Sequence, residues 1–154
     1  MKIVFTMSTM GRLKLFNWRG RLAAPFVLTA RAESYLHGRP DLNDTIARLQ
    51  AYQEAGADVL YAPGLRTPED IKTLVAAVDK PVNVIMGIAG VNLTLEQLTG
   101  VGVKRISLGS TLNRTALGAF MSAAREVLSE GTFSYAQHAV GAAELDTIFG
   151  AEKE

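Results

Sequence analysis

The chain has no cysteine among its 154 residues. Disulfides, thiolate metal sites and cysteine nucleophiles are therefore excluded together. No apolar run approaches the roughly 18 residues of a membrane-spanning helix, so no membrane partner is expected. Neither sign of charge dominates, with 16 Lys and Arg against 15 Asp and Glu. That balance leaves no electrostatic case for a nucleic-acid partner. The two histidines, His37 and His138, are far apart in sequence and read as exposed loop residues rather than metal ligands. No Ser-His-Asp arrangement, phosphate loop of the Walker kind or dinucleotide fingerprint can be assembled.

Acidic residues are also missing from the start. None precedes Glu33, whereas Lys2, Arg12, Lys14, Arg19 and Arg21 all fall before it. A basic, acid-free start can belong to a transit peptide, but a long apolar core and a small-residue cleavage site are lacking. Residues 1–23 therefore read as a basic leader, irregular or partly strand-like over 3–7, and the chain is placed in the cytoplasm. The remainder, 24–154, is long enough for one domain with a real core.

That remainder alternates apolar β-type runs with amphipathic helical runs, four times. The strands are expected at 26–30, 58–62, 82–86 and 105–108. Asp41 is a candidate cap for a helix ending at Gly56. Thr67-Pro68-Glu69-Asp70 is a strong helix start, with Ile71, Leu74, Val75 and Val78 as its buried stripe. Thr94 caps a short helix carrying Leu95 and Leu98, and longer helices are expected at about 113–129 and 136–149. Ala55-Gly56-Ala57-Asp58 and Val101-Gly102-Val103-Lys104 echo one another before two of the strands, as one helix-to-strand turn used twice. The fold class is α/β, with parallel βα units whose buried strands read as continuous apolar runs. Four units are the carboxyl-terminal half of a (β/α)₈ TIM barrel, which needs eight units and roughly 250 residues, followed by extra C-terminal helices.

Ligands in such architectures sit at the carboxyl ends of the strands. That end carries Arg31 and Glu33 after the first strand, Pro63 and Gly64 after the second, Gly87 and Gly90 after the third, and Ser107, Gly109 and Ser110 at the fourth. Lys72, Lys80 and Lys104 lie on a helix or near strand amino ends, which disfavours a Schiff-base lysine. Arg31 can present its planar fork to a substrate carboxylate or phosphate, or pair internally with Glu33 or another strand-end acid. Glu33 can hold a metal-bound water or position Arg31. Asn83, in an apolar strand, either hydrogen-bonds a ligand or ties layers of the barrel together. The glycine loops Gly87-Ile88-Ala89-Gly90 and Gly109-Ser110 can offer N–H groups to an anion or simply satisfy turn geometry.

The stretch Phe26-Val-Leu-Thr-Ala-Arg-Ala-Glu-Ser-Tyr35 resembles the fifth-strand motif of the isocitrate lyase and phosphoenolpyruvate mutase superfamily. Ala51-Tyr-Gln-Glu-Ala-Gly-Ala-Asp-Val-Leu-Tyr-Ala-Pro-Gly-Leu65 resembles its sixth strand. Lys80-Pro-Val-Asn-Val-Ile-Met86 and Gly102-Val-Lys-Arg-Ile-Ser-Leu-Gly-Ser110 resemble its seventh and eighth. The likeness runs from about residue 24 to 150, without the leader. It implies a Mg²⁺-dependent enzyme that makes or breaks C–C or P–C bonds of 2-oxo or hydroxy acids through a metal-stabilised enolate. By position it implies Arg31 and Glu33 as catalytic residues and Arg31, Asn83, Gly87, Ser107 and Gly109 as substrate-binding ones, with Glu33 near the metal's water shell. Where the lyases of the family carry a glutamate after strand six, this chain has Ala62-Pro63, which argues against a strict isocitrate or methylisocitrate lyase. The family's metal-binding acids lie on strands upstream of Pro25, so the chain is expected to be a truncated member, inactive alone and binding Mg²⁺ weakly at most. The resemblance also implies a small carboxylate or phosphonate ligand and a homo-oligomer built through the C-terminal helices, with Leu112, Ala116, Phe120 and Ala124 as the contact stripe. The alternative is a non-catalytic, self-assembling or anion-binding half-barrel module.

Overall fold

The computed structural model describes the backbone of residues 3–8 and residues 26–150 in full. Contacts divide the chain into two compact units, Met1–Gly109 and Ser110–Glu154. The first is built on five parallel strands: β1 (Ile3–Ser8), β2 (Phe26–Arg31), β3 (Val59–Tyr61), β4 (Val82–Ile85) and β5 (Arg105–Ser107). Their spatial order is their chain order. The four strands expected from the alternation are present, and Ile3–Ser8 adds a fifth that runs parallel to β2, Ile3 opposite Phe26 and Ser8 opposite Arg31. The rest of the basic leader lies outside the described residues.

Sequential order has a physical consequence. A parallel sheet whose order never reverses has no switch point, and right-handed crossovers then place every connecting helix on one face. The helices are α1 (Leu42–Glu54), α2 (Pro68–Ala76) and α3 (Leu95–Gly100). The core lies between them and the even-numbered strand residues: Ala30, Leu60, Val82 and Val84 meet Leu49, Tyr52, Ile71, Leu74 and Leu98. Because strand side chains alternate, the odd-numbered residues project from the opposite face. That face is the inner wall of a barrel.

Each helix starts where its cap dictates. Asp41 accepts from the Asp44 N–H at 2.9 Å and Thr67 from the Asp70 N–H at 3.1 Å. Thr94 and Gln97 form a reciprocal capping box. Leu98 is buried as expected, whereas Leu95 at the first position of its helix points to solvent. The repeated Ala-Gly and Val-Gly turns are one motif used twice. Gly56 and Gly102 take φ of 102° and 90°. Ala57 N–H donates to Tyr52 O and Val103 N–H to Leu98 O, while Gly56 and Gly102 donate to Gln53 and Thr99. That is the Schellman pattern, which satisfies helix carbonyls while aiming the chain into the next strand.

The second unit contains α4 (Thr111–Glu130), a 3₁₀ turn at Ser134–His138 and α5 (Ala142–Phe149). The single late helix expected over 136–149 is thus shorter: Gly141 takes an extended ψ of 146° and starts a new helix. Glu126 ties the turn to α4. Its carboxylate accepts from Thr132 Oγ1 at 2.9 Å, from the Ser134 N–H, and from the Tyr135 N–H at 3.2 Å. Desolvation opposes the charge, but these hydrogen bonds outweigh it and hold the carboxyl below its ordinary value of 4.5. A depressed folded pKa means the tie is intact above the unfolded value and is lost as pH falls through the folded one. Amide exchange at Ser134 and Tyr135 should therefore accelerate on acidification below about pH 4. In Glu126→Gln that acid step should vanish; its persistence would place the titration elsewhere.

Candidate active site

Strand register brings four side chains of the inner face into one row. Arg31 pairs with Tyr61, Tyr61 with Asn83, and Asn83 with Arg105. Register partners on parallel strands share a face, so the row is contiguous across β2 to β5. It is oblique to the strand ends: Arg31 and Tyr61 are the last residues of their strands, whereas Arg105 is the first of its own.

At the β2 end the Arg31 guanidinium is clamped from two sides. Its Nη2 lies 2.6 Å from Glu33 Oε1, and its Cζ sits 5.0 Å from the centroid of the Tyr61 ring, a cation–π distance. Glu33, two residues on, shares the Arg31 side of an extended chain, as alternation requires. It also begins the 3₁₀ turn Ser34–His37, which brings His37 Nε2 to 3.8 Å from its other oxygen. The Arg31 Nε is buried with no hydrogen-bond partner, as is Thr29 Oγ1, two residues earlier on the same strand face.

At the β4–β5 end, Asn83 is almost wholly buried at 1% exposure. Its Oδ1 accepts from Arg105 Nη1 at 2.8 Å and its Nδ2 donates to Ser107 Oγ at 3.1 Å. Ser107 Oγ in turn lies 3.3 Å from Val84 O. The Met86 N–H donates to Ser107 O at 2.9 Å, so the loops opened by Gly87 and Gly109 leave neighbouring strands. Added to Gly109, a Cβ would stand 3.3 Å from Ile85 Cδ1.

Of the residues anticipated at the site, Asn83 and Ser107 are directly bonded. Arg31 and Glu33 form a second pair, and Arg31 reaches the first only through Tyr61. Sequence reasoning left Tyr61 and Arg105 out. Their signal was parity: Arg105 is two residues before Ser107, and Tyr61 two before Pro63. Lys72 lies on α2, and Lys80 and Lys104 precede β4 and β5, all away from this row.

The sequence model of the phosphoenolpyruvate phosphomutase family matches residues 7–128. The chain belongs to that family. The match reaches back through most of the leader, which the strand motifs alone had left out. A crystal structure of a "putative lyase/mutase" from Burkholderia cenocepacia J2315 superposes with a TM-score of 0.80 at 53% identity, covering 86% of this chain and 48% of that one. The "Probable 2-methylisocitrate lyase 2" of Corynebacterium glutamicum is 31% identical over 108 residues, 69% of this chain and 34% of that protein. A phosphonopyruvate hydrolase crystallised with oxalate and Mg²⁺ shares the fold at a TM-score of 0.70 and 22% identity, covering 98% of this chain and 59% of that one. The chain spans 38% and 34% of the length of curated relatives that it matches. Its parallel βα units thus correspond to part of the family's barrel.

The described residues do not fit a Mg²⁺ ion. Among them no group of three or more His, Asp or Glu side chains converges, and the Glu33 oxygens already face Arg31 and His37. A hard dication needs several oxygen ligands. Among the described residues, too, no helix is long and apolar enough to cross a membrane.

Proposed function

We propose that this chain supplies the carboxyl-terminal half of a lyase or mutase barrel acting on small 2-oxo or hydroxy carboxylic acids or phosphonates, by cleavage of a C–C or P–C bond in the cytoplasm. The observation that carries the reading is Arg31. It is a guanidinium at the end of a buried strand, held by Glu33 and Tyr61, with a buried Nε–H that has no acceptor. Such a donor is costly to leave unmet, and an acid oxygen of a ligand meets it. Arg31 binds and orients the acid group, Glu33 fixes the plane of the fork, and Tyr61 closes off its underside from water. Asn83 and Ser107 hold the adjoining wall, and the Gly87 and Gly109 loops let backbone approach the ligand. Metal binding and bond cleavage are assigned to the part of the barrel outside the described residues, because the donor set here does not suit Mg²⁺.

The test is release of pyruvate, with and without Mg²⁺, from a panel of oxaloacetate, a methylisocitrate-like acid and phosphonopyruvate. It compares the 154-residue chain with the same chain joined to the upstream half of its 53%-identical relative. Turnover is expected only in the joined form. Oxalate is expected to bind the chain alone weakly and without Mg²⁺ dependence. Turnover or tight metal-dependent oxalate binding by the chain alone would show a complete site and end the half-barrel reading. A joined protein that folds but neither binds oxalate nor turns over would end the lyase reading.

The same reading makes the protein a homo-oligomer through its late helices. On α4, Leu112, Leu117, Phe120 and Leu128 are at least half exposed. A stripe of that kind needs an apolar cover. A chain ending at Glu130 that keeps its size in solution would count against contacts beyond α4.

A further inference from the structure

Charge is unevenly compensated along the row. Arg31 has its carboxylate, with Glu33 at 2.6 Å. Arg105 has none: among the described residues its only polar partner is the neutral amide oxygen of Asn83 at 2.8 Å. Arg105 is also exposed, whereas the Asn83 that holds it is buried. The uncompensated positive charge of the inner face therefore sits at the β5 end, away from the arginine that sequence motifs single out.

The hydrogen bond to Asn83 is more than a surface contact. Asn83 cannot rotate freely, because its Nδ2 is engaged by Ser107 and Ser107 by Val84 O. A buried, two-sided amide thus aims one edge of the Arg105 fork at the sheet and leaves its other N–H groups directed elsewhere. Through that bond the guanidinium reaches one strand back toward Arg31. Two strand spacings, roughly 10 Å, separate Asn83 from Arg31, with the Tyr61 ring between them. A pre-aimed guanidinium at each end of an aromatic floor matches an acid with a charged group at each end.

We propose that Arg105 is a second anion-binding residue of this site, positioned by Asn83, and that the row takes small acids bearing two anionic groups in preference to those bearing one. This rests on the acid-binding reading above and adds the residue that would select for the second charge. Asn83 is a positioning residue in it, acting through Arg105.

The experiment is calorimetric and NMR titration of the 154-residue chain with succinate and with acetate. The variants are Arg105→Gln, Arg105→Lys, Asn83→Ala and Arg31→Gln, each checked for a native amide spectrum. Succinate should bind the unaltered chain more tightly than acetate and shift the Arg105 guanidinium resonances. Arg105→Gln should weaken succinate about tenfold and acetate less than about twofold, as loss of one charged hydrogen-bonding group predicts. Arg105→Lys should recover part of the loss by keeping the charge. Asn83→Ala should weaken succinate while Arg105 still titrates with ligand, a result that a merely structural asparagine would not give. Unchanged succinate binding in Arg105→Gln with loss in Arg31→Gln would overturn the inference and leave the acid-binding reading standing. Failure of the unaltered chain to bind either acid would overturn the inference too, while turnover by the joined barrel would still decide the reading beneath it.

Discussion

Leu60→Ala is expected to cost about 2–5 kcal/mol of unfolding free energy, the range for truncating a fully buried leucine. Leu60 has no exposed surface and lies in the middle strand of five, flanked in register by Ala30 and Val82. It is where the sheet meets the helix layer. Domains of this size are typically stable by about 5–15 kcal/mol, so one substitution would remove a large share. The urea midpoint measures it, with Leu36→Ala as comparison, since Leu36 is 54% exposed and should move stability by less than about 0.5 kcal/mol. Equal midpoints for the two variants would mean that the helix-facing core is not what holds the sheet.

Gly64→Ala should be the most damaging of the glycine changes, and Gly56→Ala shows why. Their backbones are almost identical, at φ of 103° and 102°, so the conformational strain of adding a side chain is shared, about 1–3 kcal/mol. Their surroundings differ. A Cβ on Gly56 meets nothing within 4 Å, whereas one on Gly64 would stand 2.8 Å from Tyr35 Cβ. Overpacking of that kind adds about 1–3 kcal/mol, and the difference between the two variants isolates it. The overlap falls on the Ser34–His37 turn, which Glu33 begins, so Gly64→Ala should also loosen the Arg31–Glu33 pair. Weaker oxalate binding in Gly64→Ala but not in Gly56→Ala is the expected signature. Equal losses in both would mean that the turn does not position the pair.

The local features were legible because they depend on neighbours in the chain. Asp41, Thr67 and Thr94 cap their helices through residues three positions on, and the two glycine turns repeat because the same helix-to-strand geometry recurs. The late helix was misread for a matching reason: the apolar spacing continues across Gly141, and spacing alone does not reveal a residue that leaves the helix. Ile3–Ser8 was only half legible, since a short apolar run among basic residues becomes a strand only when a partner such as β2 lies alongside.

The site divides in the same way. The sequence by itself determined that polar residues follow buried strands at Arg31, Glu33 and Ser107, because alternation and strand ends are local properties. It also carried the family, through motifs that run unbroken along the strands. Only the tertiary structure decided which of these residues meet. Register between parallel strands is set by helix packing and barrel stagger across 22 to 30 residues of intervening chain, and nothing local encodes it. That register places Tyr61 beneath Arg31 and makes Asn83 a buried peg for Arg105. It also moves the unpaired charge of the inner face to a residue at the start of a strand, where a rule that looks only at strand ends does not search.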